Sequence, residues 1–257
     1  MADWNDTRQE RSGFGTAPGA AGDLGTRAVF DEGLRKHMLS IYNYMTSGVL
    51  LSGIIAMVFA NAGYAAAMVG SPIMWLVVLS PLAIVFAMSF GRNKFSTGTL
   101  QIMFWAFAVL MGVSLSTIFL RYTGGSIAVT FFATSAAFAG LSLFGYTTKK
   151  NMSGMGSFLI MGVVGLIVAM IANMFIQSAP LMYAISFIGV LIFAGLTAYD
   201  TQRLKMEYLA VQQAMVTNPA VAQQYPVGKM VILGALTLYL DFINMFQFLL
   251  SFLGSQD

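Results

Sequence analysis

Seven apolar runs, each close to the about 20 residues that cross a hydrocarbon core of about 30 Å, organise the chain. They lie near 38–60, 72–90, 99–120, 125–146, 157–177, 180–200 and 229–253. Between them stand "NAGYAAAMVGSP", "GRNKFSTG", "RYTGG", "TTKKNMSGMG" and "QSAP". These stretches carry the Gly, Pro, Ser and charge that end helices. The pattern predicts an all-α membrane protein with seven transmembrane helices forming one domain over 29–257.

Residues 1–28 combine Gly, polar residues and mixed charge with little to bury, and read as a disordered tail. The stretch that follows, "VFDEGLRKHM", sets Val29, Phe30, Gly33, Leu34, His37 and Met38 along one helical face, as a lead-in lying on the membrane surface would. The longest internal loop, "MEYLAVQQAMVTNPAVAQQYPVG", opens with helix formers, so the sixth helix is expected to extend beyond its apolar run until Asn218-Pro219 breaks it. The first apolar run is too long, and follows too polar a tail, for a cleavable signal. No repeat period suggests a solenoid.

Composition fixes the setting. Of 257 residues 58% are hydrophobic and 9% charged, too apolar for a soluble fold. The formal net charge of +3 does not indicate nucleic-acid binding, because the bases are scattered rather than gathered on one stripe. Their placement reports topology. With the amino terminus inside, Arg8, Arg11, Arg27, Arg35, Lys36, Arg92, Lys94, Lys149, Lys150, Arg203, Lys205 and Lys229 all fall on the inner side, and only Arg121 lies outside. The excess of Lys and Arg left in the cytoplasm therefore predicts a cytoplasmic amino terminus and a carboxyl terminus on the opposite side. Cysteine is absent, which removes disulfides, thiolate metal sites and thiol nucleophiles.

Of the ten acids, only Asp200 and Asp241 lie within the apolar runs. A carboxylate at a helix centre in lipid costs about 2.5–3.5 kcal/mol, so it is expected to face the bundle interior or a cavity. Counting 12 residues at 1.5 Å from Lys229 puts Asp241 about 18 Å deep. Asp200, closing the sixth run, is expected to be shallower. Gly234, Thr237, Asp241 and Asn244 share one face of the seventh helix, and Ser186, Gly189, Phe193, Thr197 and Asp200 form a stripe on the sixth. Thr197, Thr237 and Asn244 thus read as a supporting polar seam. If the seams face each other, the carboxyl groups share a proton and titrate as one unit. Deprotonated, they offer hard oxygens to a divalent cation, for which Ca²⁺ is chemically suited. The residues point to a pH-sensitive cation site without separating a pore from a transporter.

The segments "FDEGLRKHMLSIYNYMTSG", "GLTAYDTQRLK" around Asp200 and "ALTLYLDFINMFQFLLSFLG" around Asp241 resemble the Bax inhibitor family (transmembrane Bax inhibitor motif family), particularly its bacterial branch, over roughly residues 28–254. The resemblance implies a seventh helix at the centre, wrapped by the other six. It also implies a pH-dependent calcium leak in a bacterial inner membrane, with Asp200 and Asp241 as proton sensor and cation-binding pair. The family's latch, a basic residue at the inner end of the second helix, falls on Arg92; the positive-inside rule alone also accounts for an arginine there. Some bacterial relatives carry a glutamate inside the second helix, where this chain has Ser80-Pro81 in "LVVLSPLAIVFAMSF". Pro81 is expected to kink that helix and to free carbonyls toward a cavity.

Other classes are less well served. An intramembrane aspartyl protease needs its second aspartate in Gly-x-Gly-Asp, whereas Asp241 follows "LYL". A Ser-His-Asp set is not credible with His37 the only histidine, and no phosphate-binding loop is present. The expectation is therefore no enzyme and no cofactor, with the bilayer, calcium and protons as partners. A proton-coupled cation exchanger is the near alternative. A non-conducting regulator of a membrane protease or stress-response partner is the other. His37 itself reads as a polar residue at the membrane edge in preference to a pH sensor.

Overall fold

The computed structural model describes residues 18–218, 220 and 225–255, with side chains in the first helix from Asp31 onward. Seven long helices account for nearly all of it: α1 (Pro18–Asn61), α2 (Pro72–Gly91), α3 (Thr97–Leu115, continued by a 3-10 turn, Ser116–Leu120), α4 (Gly124–Thr147), α5 (Ser153–Ile176), α6 (Ala179–Thr217) and α7 (Val227–Leu253). A short helical turn, Tyr64–Met68, joins α1 to α2. There is no strand among the described residues. Each of the seven is long and apolar enough to cross a membrane.

Local chemistry sets the boundaries. The Ser96, Thr123 and Ser178 hydroxyls accept the backbone N–H of Thr99, Ser126 and Leu181, at 3.1, 3.2 and 3.3 Å, opening α3, α4 and α6. Those side chains replace helix partners that the first turn lacks. Inside α2, Pro81 has no N–H to give to the Val77 carbonyl one turn earlier. The hydroxyl of Ser80 donates to that carbonyl at 3.1 Å, so the freed acceptor is satisfied locally instead of opening toward a cavity, contrary to the expectation from sequence.

Two boundaries extend the sequence reading. Of the expected disordered tail over 1–28, residues 1–17 lie outside the described residues, and 18–28 form the first turns of α1. Residues 31–38 continue α1 instead of forming a separate surface segment, with Leu34, His37 and Met38 buried. The reason is that α6 also continues, to Thr217, and its extension gives that face something to pack on. His37 stacks on Tyr208 of α6 with ring centroids 4.4 Å apart, so the histidine is a buried contact between two helices.

Packing follows from which helices are apolar all round. On α7, fourteen residues are buried. Its principal neighbours are α6, α1, α4 and α3, while α2 packs mainly on α3 and α5 on α6. Exposed Leu, Ile, Val and Phe side chains cover α2 and α5, the outer surface expected where the solvent is lipid. Small residues set the closest approach: a Cβ at Gly145 of α4 would collide with the Ala198 carbonyl of α6, and one at Gly189 of α6 would meet the Phe248 ring of α7 at 2.6 Å.

Candidate functional site

The α6–α7 contact is antiparallel, and its register can be followed through side chains. Near one end the Ser186 hydroxyl donates to that of Ser251 at 2.9 Å. Further along, Phe193 stacks on Phe248, centroids 5.8 Å apart. Leu204 and Gly234 then meet near the other end. Between these points Asp200 and Asp241 face each other carboxyl to carboxyl. Both are buried, at 5% and 4% exposure.

The two aspartates therefore sit at one level, which corrects the expectation that Asp200 is the shallower. The expectation took the close of the sixth apolar run as the membrane edge, whereas the antiparallel register sets Leu204, beyond Asp200, against Gly234, well inside Lys229. The extension of α6 expected from sequence is present: the helix continues for 17 residues past Asp200, from Thr201 to Thr217, about 26 Å at 1.5 Å per residue. The register fixed by Phe193–Phe248 on one side and Leu204–Gly234 on the other holds Asp200 beside Asp241.

Arg203, one turn beyond Asp200, completes the cluster. Its Nη1 lies 3.1 Å from Asp200 Oδ1, and its Nε lies 3.7 Å from Glu207 Oε1. The guanidinium also lies over the Tyr199 ring, 5.8 Å from the centroid. Asp200 Oδ1 and Asp241 Oδ2 are buried without a hydrogen-bond partner, so the Arg203 contact to Asp200 is an ion pair lacking hydrogen-bond alignment. Two carboxyl groups this close in an apolar surrounding cannot both ionise cheaply. Among the described residues no three acidic, histidine or cysteine side chains gather at one point. Two carboxylates fall short of the six to eight oxygens that a resident Ca²⁺ takes, and the geometry suits a passing cation or a proton better than a closed metal site.

The remaining candidates are distributed differently. Arg92 caps the end of α2 and is exposed, and among the described residues it makes no ion pair. The arginine beside the aspartates is Arg203, which the sequence reading counted only as a topology signal; its i,i+3 spacing from Asp200 is the clue that was available. Thr197, Thr237 and Asn244 do not turn toward the carboxylates. Each donates to its own helix one turn back: Thr197 Oγ1 to Phe193 O at 2.8 Å, Thr237 Oγ1 to Leu233 O at 3.1 Å and Asn244 Nδ2 to Leu240 O at 2.8 Å. In an apolar bundle this is the nearest acceptor for an isolated hydroxyl or amide.

Two hydroxyl networks flank the pair. One runs from α1 through α4 to α6: Tyr42 Oη to Ser142 Oγ at 2.9 Å, and Ser142 Oγ to Thr201 Oγ1 at 2.8 Å. The other ties α1, α3 and α7, with Ser52 Oγ 2.6 Å from Tyr239 Oη and donating to the Ala108 carbonyl at 2.7 Å. Thr201 adjoins Asp200, and Tyr239 lies two residues before Asp241. Both aspartates thus sit on backbone held by buried polar contacts, the condition for a site of fixed geometry.

Comparison with known proteins places this arrangement among relatives. Residues 34–257 match the family model described as "Inhibitor of apoptosis-promoting Bax1". The chain is 46% identical to an uncharacterized protein of Caulobacter vibrioides over 87% of this chain and 90% of that protein. It is 43% identical to the uncharacterized protein RP147 of Rickettsia prowazekii, over 88% and 92% of the two chains. With the inner membrane protein YbhL of Escherichia coli it shares 39% identity over 87% and 93%.

Proposed function

The chain belongs to the Bax inhibitor family of membrane proteins, and on that premise we propose that it is a pH-sensitive, calcium-permeable leak of a bacterial inner membrane, gated by Asp200 and Asp241. The observation that carries the reading is the meeting of those two buried carboxyl groups between α6 and α7, with Arg203 beside them. One proton on the pair leaves a single negative charge, which Arg203 balances. Loss of that proton leaves two, and the uncompensated charge draws a cation into the bundle. Calcium and the proton then compete for the same oxygens, so flux and pH are linked by one equilibrium.

The α6–α7 contact is the element such a change would act on. Repulsion between two ionised carboxylates at close range is relieved by separation of the helices or by entry of a cation. The Ser186–Ser251 bond and the Phe193–Phe248 stack hold the far half of the same contact. Opening is therefore expected at the aspartate level and toward the end carrying Arg203.

The test is calcium entry into proteoliposomes holding the full chain, measured from about pH 5 to 8, the window in which a change of side-chain charge serves as a physiological switch. The leak reading expects downhill entry with a pH midpoint that Asp200→Asn or Asp241→Asn moves or abolishes. Entry equal to that of empty liposomes at every pH overturns it in favour of a non-conducting regulator. Entry driven uphill by a proton gradient overturns it in favour of an exchanger.

A further inference from the structure

A groove runs along the outside of the bundle between α1 and α4. Both helices lean on α7 but do not pack closely on each other, and the gap between them encloses about 650 Å³ with Phe242 of α7 at its floor. Along α1 the lining runs from Arg35 to Leu50, and along α4 from Tyr146 to Phe131. The rises from Arg35 to Leu50 make the groove about 22 Å long at 1.5 Å per residue. That is most of the depth of a bilayer core.

Its chemistry is graded. The shaft is mainly apolar, and three of the hydroxyl groups on its walls have partners: Tyr42 bonds Ser142, Ser142 bonds Thr201, and Ser135 donates to the Phe131 carbonyl at 2.8 Å. The Thr46 hydroxyl also lines it, and that of Tyr146 lies at the Arg35 end. At the Arg35 end, cations gather. Arg35 lines the mouth, Lys149 and Lys150 follow α4, and Lys205 of α6 reaches the Tyr146 carbonyl at 2.7 Å. Asp31 and Glu32 lie one turn further out on α1 and offset part of this charge, leaving the mouth net basic. A slot this long, open sideways in a membrane protein, mainly apolar along its length and basic at one end, matches one kind of molecule: an acyl chain that ends in an anionic headgroup.

We infer that the α1–α4 groove is a binding site for an anionic phospholipid, one acyl chain lying along the shaft and the phosphate held at Arg35. The occupant touches Phe242, which follows Asp241, and Ser142, whose hydroxyl bonds Thr201, the residue after Asp200. Lipid in the groove thus supports the backbone that holds the carboxyl pair. This binding does not depend on calcium conduction and is tested apart from it.

The experiment uses the full chain in vesicles doped with a photoreactive phosphatidylglycerol or with the matching phosphatidylcholine, the label being carried on the acyl chain and mapped by peptide mass spectrometry. The inference expects label concentrated on 38–50 and 131–143, with phosphatidylglycerol labelling at least fivefold more than phosphatidylcholine. Ala139→Phe, which fills the exposed groove wall, is expected to cut this labelling at least fivefold. Ala137→Phe, exposed on the same helix but outside the groove, is expected to leave it unchanged, and Arg35→Gln to erase the headgroup preference while labelling of the shaft persists. The wild-type map and the Arg35→Gln comparison decide the matter even if Ala139→Phe does not fold. Label spread evenly over α2 and α5, equal labelling by the two lipids, or equal labelling of Ala139→Phe and Ala137→Phe overturns the inference.

Discussion

Arg203 reaches back one helical turn to Asp200, Nη1 to Oδ1 at 3.1 Å, from a side chain 38% exposed to one 7% exposed. The arginine is the half in contact with solvent, so it supplies charge to the buried carboxyl at little desolvation cost to itself. Arg203→Gln is expected to cost about 1–3 kcal/mol of stability, the range for losing a charged partner of a buried group. The loss should grow as pH rises, because only the ionised carboxylate misses the guanidinium. Thermal unfolding in detergent at two pH values checks this, and a loss independent of pH contradicts it.

The Ser52–Tyr239 contact allows an asymmetric prediction. A serine hydroxyl has one hydrogen and here has acceptors at Ala108 O, 2.7 Å away, and Gly48 O, 2.9 Å away, so Tyr239 is the donor in its 2.6 Å bond to Ser52. Tyr239→Phe leaves Ser52 bonded to a carbonyl and should cost only about 0.5–1.5 kcal/mol. Ser52→Ala leaves a fully buried phenol unpartnered and should cost more, about 1–3 kcal/mol. The double variant should cost less than the sum of the two. Equal single losses that simply add contradict the assignment.

Gly145 is where α4 and α6 touch. Gly145→Leu pushes the Ala198 carbonyl away and should destabilise by about 1–3 kcal/mol or more, as overpacking does. It should also disturb Asp200, two residues on. A Cβ at Gly140 on the same helix meets nothing within 4 Å, so Gly140→Leu should fold and behave as wild type. Comparing yields and unfolding temperatures of the two variants is sufficient.

His37 is stacked on Tyr208 between α1 and α6, and its role is expected to be packing. His37→Phe preserves a flat ring for the stack and should leave the pH midpoint of calcium entry where it is in wild type. A midpoint moved by this substitution makes the histidine a sensor and weakens the case for the aspartates.

Much of the fold was legible because the bilayer imposes one length on every crossing. The seven apolar runs coincide with the seven spanning helices, and the helix formers after Asp200 announced the extension of α6 to Thr217; the departure is at residues 31–38, which join α1. Apolar runs mark hydrocarbon and do not mark helix ends. The depth of Asp200 was misjudged because the close of an apolar run does not tell how two helices are set against each other. The aspartates themselves stood out because carboxylates in apolar runs are costly. Their neighbours did not, since helical spacing tells which face a hydroxyl occupies and not which acceptor it finds. Thr197, Thr237 and Asn244 share faces with the aspartates yet bond their own backbone. Arg203 was hidden among cations that topology already explained. The α1–α4 groove was invisible from the sequence because it exists only where two helices fail to meet.

The central claim is that Asp200 and Asp241 hold one proton between them and exchange it for calcium. Infrared titration of the carboxyl band in reconstituted protein with isotope-labelled aspartate, with and without Ca²⁺, addresses it most directly. The account predicts a single buried-carboxyl step that vanishes in both Asp200→Asn and Asp241→Asn and that Ca²⁺ moves to lower pH, because the cation favours the deprotonated pair. Two independent steps, each lost only with its own aspartate and both indifferent to Ca²⁺, would contradict it.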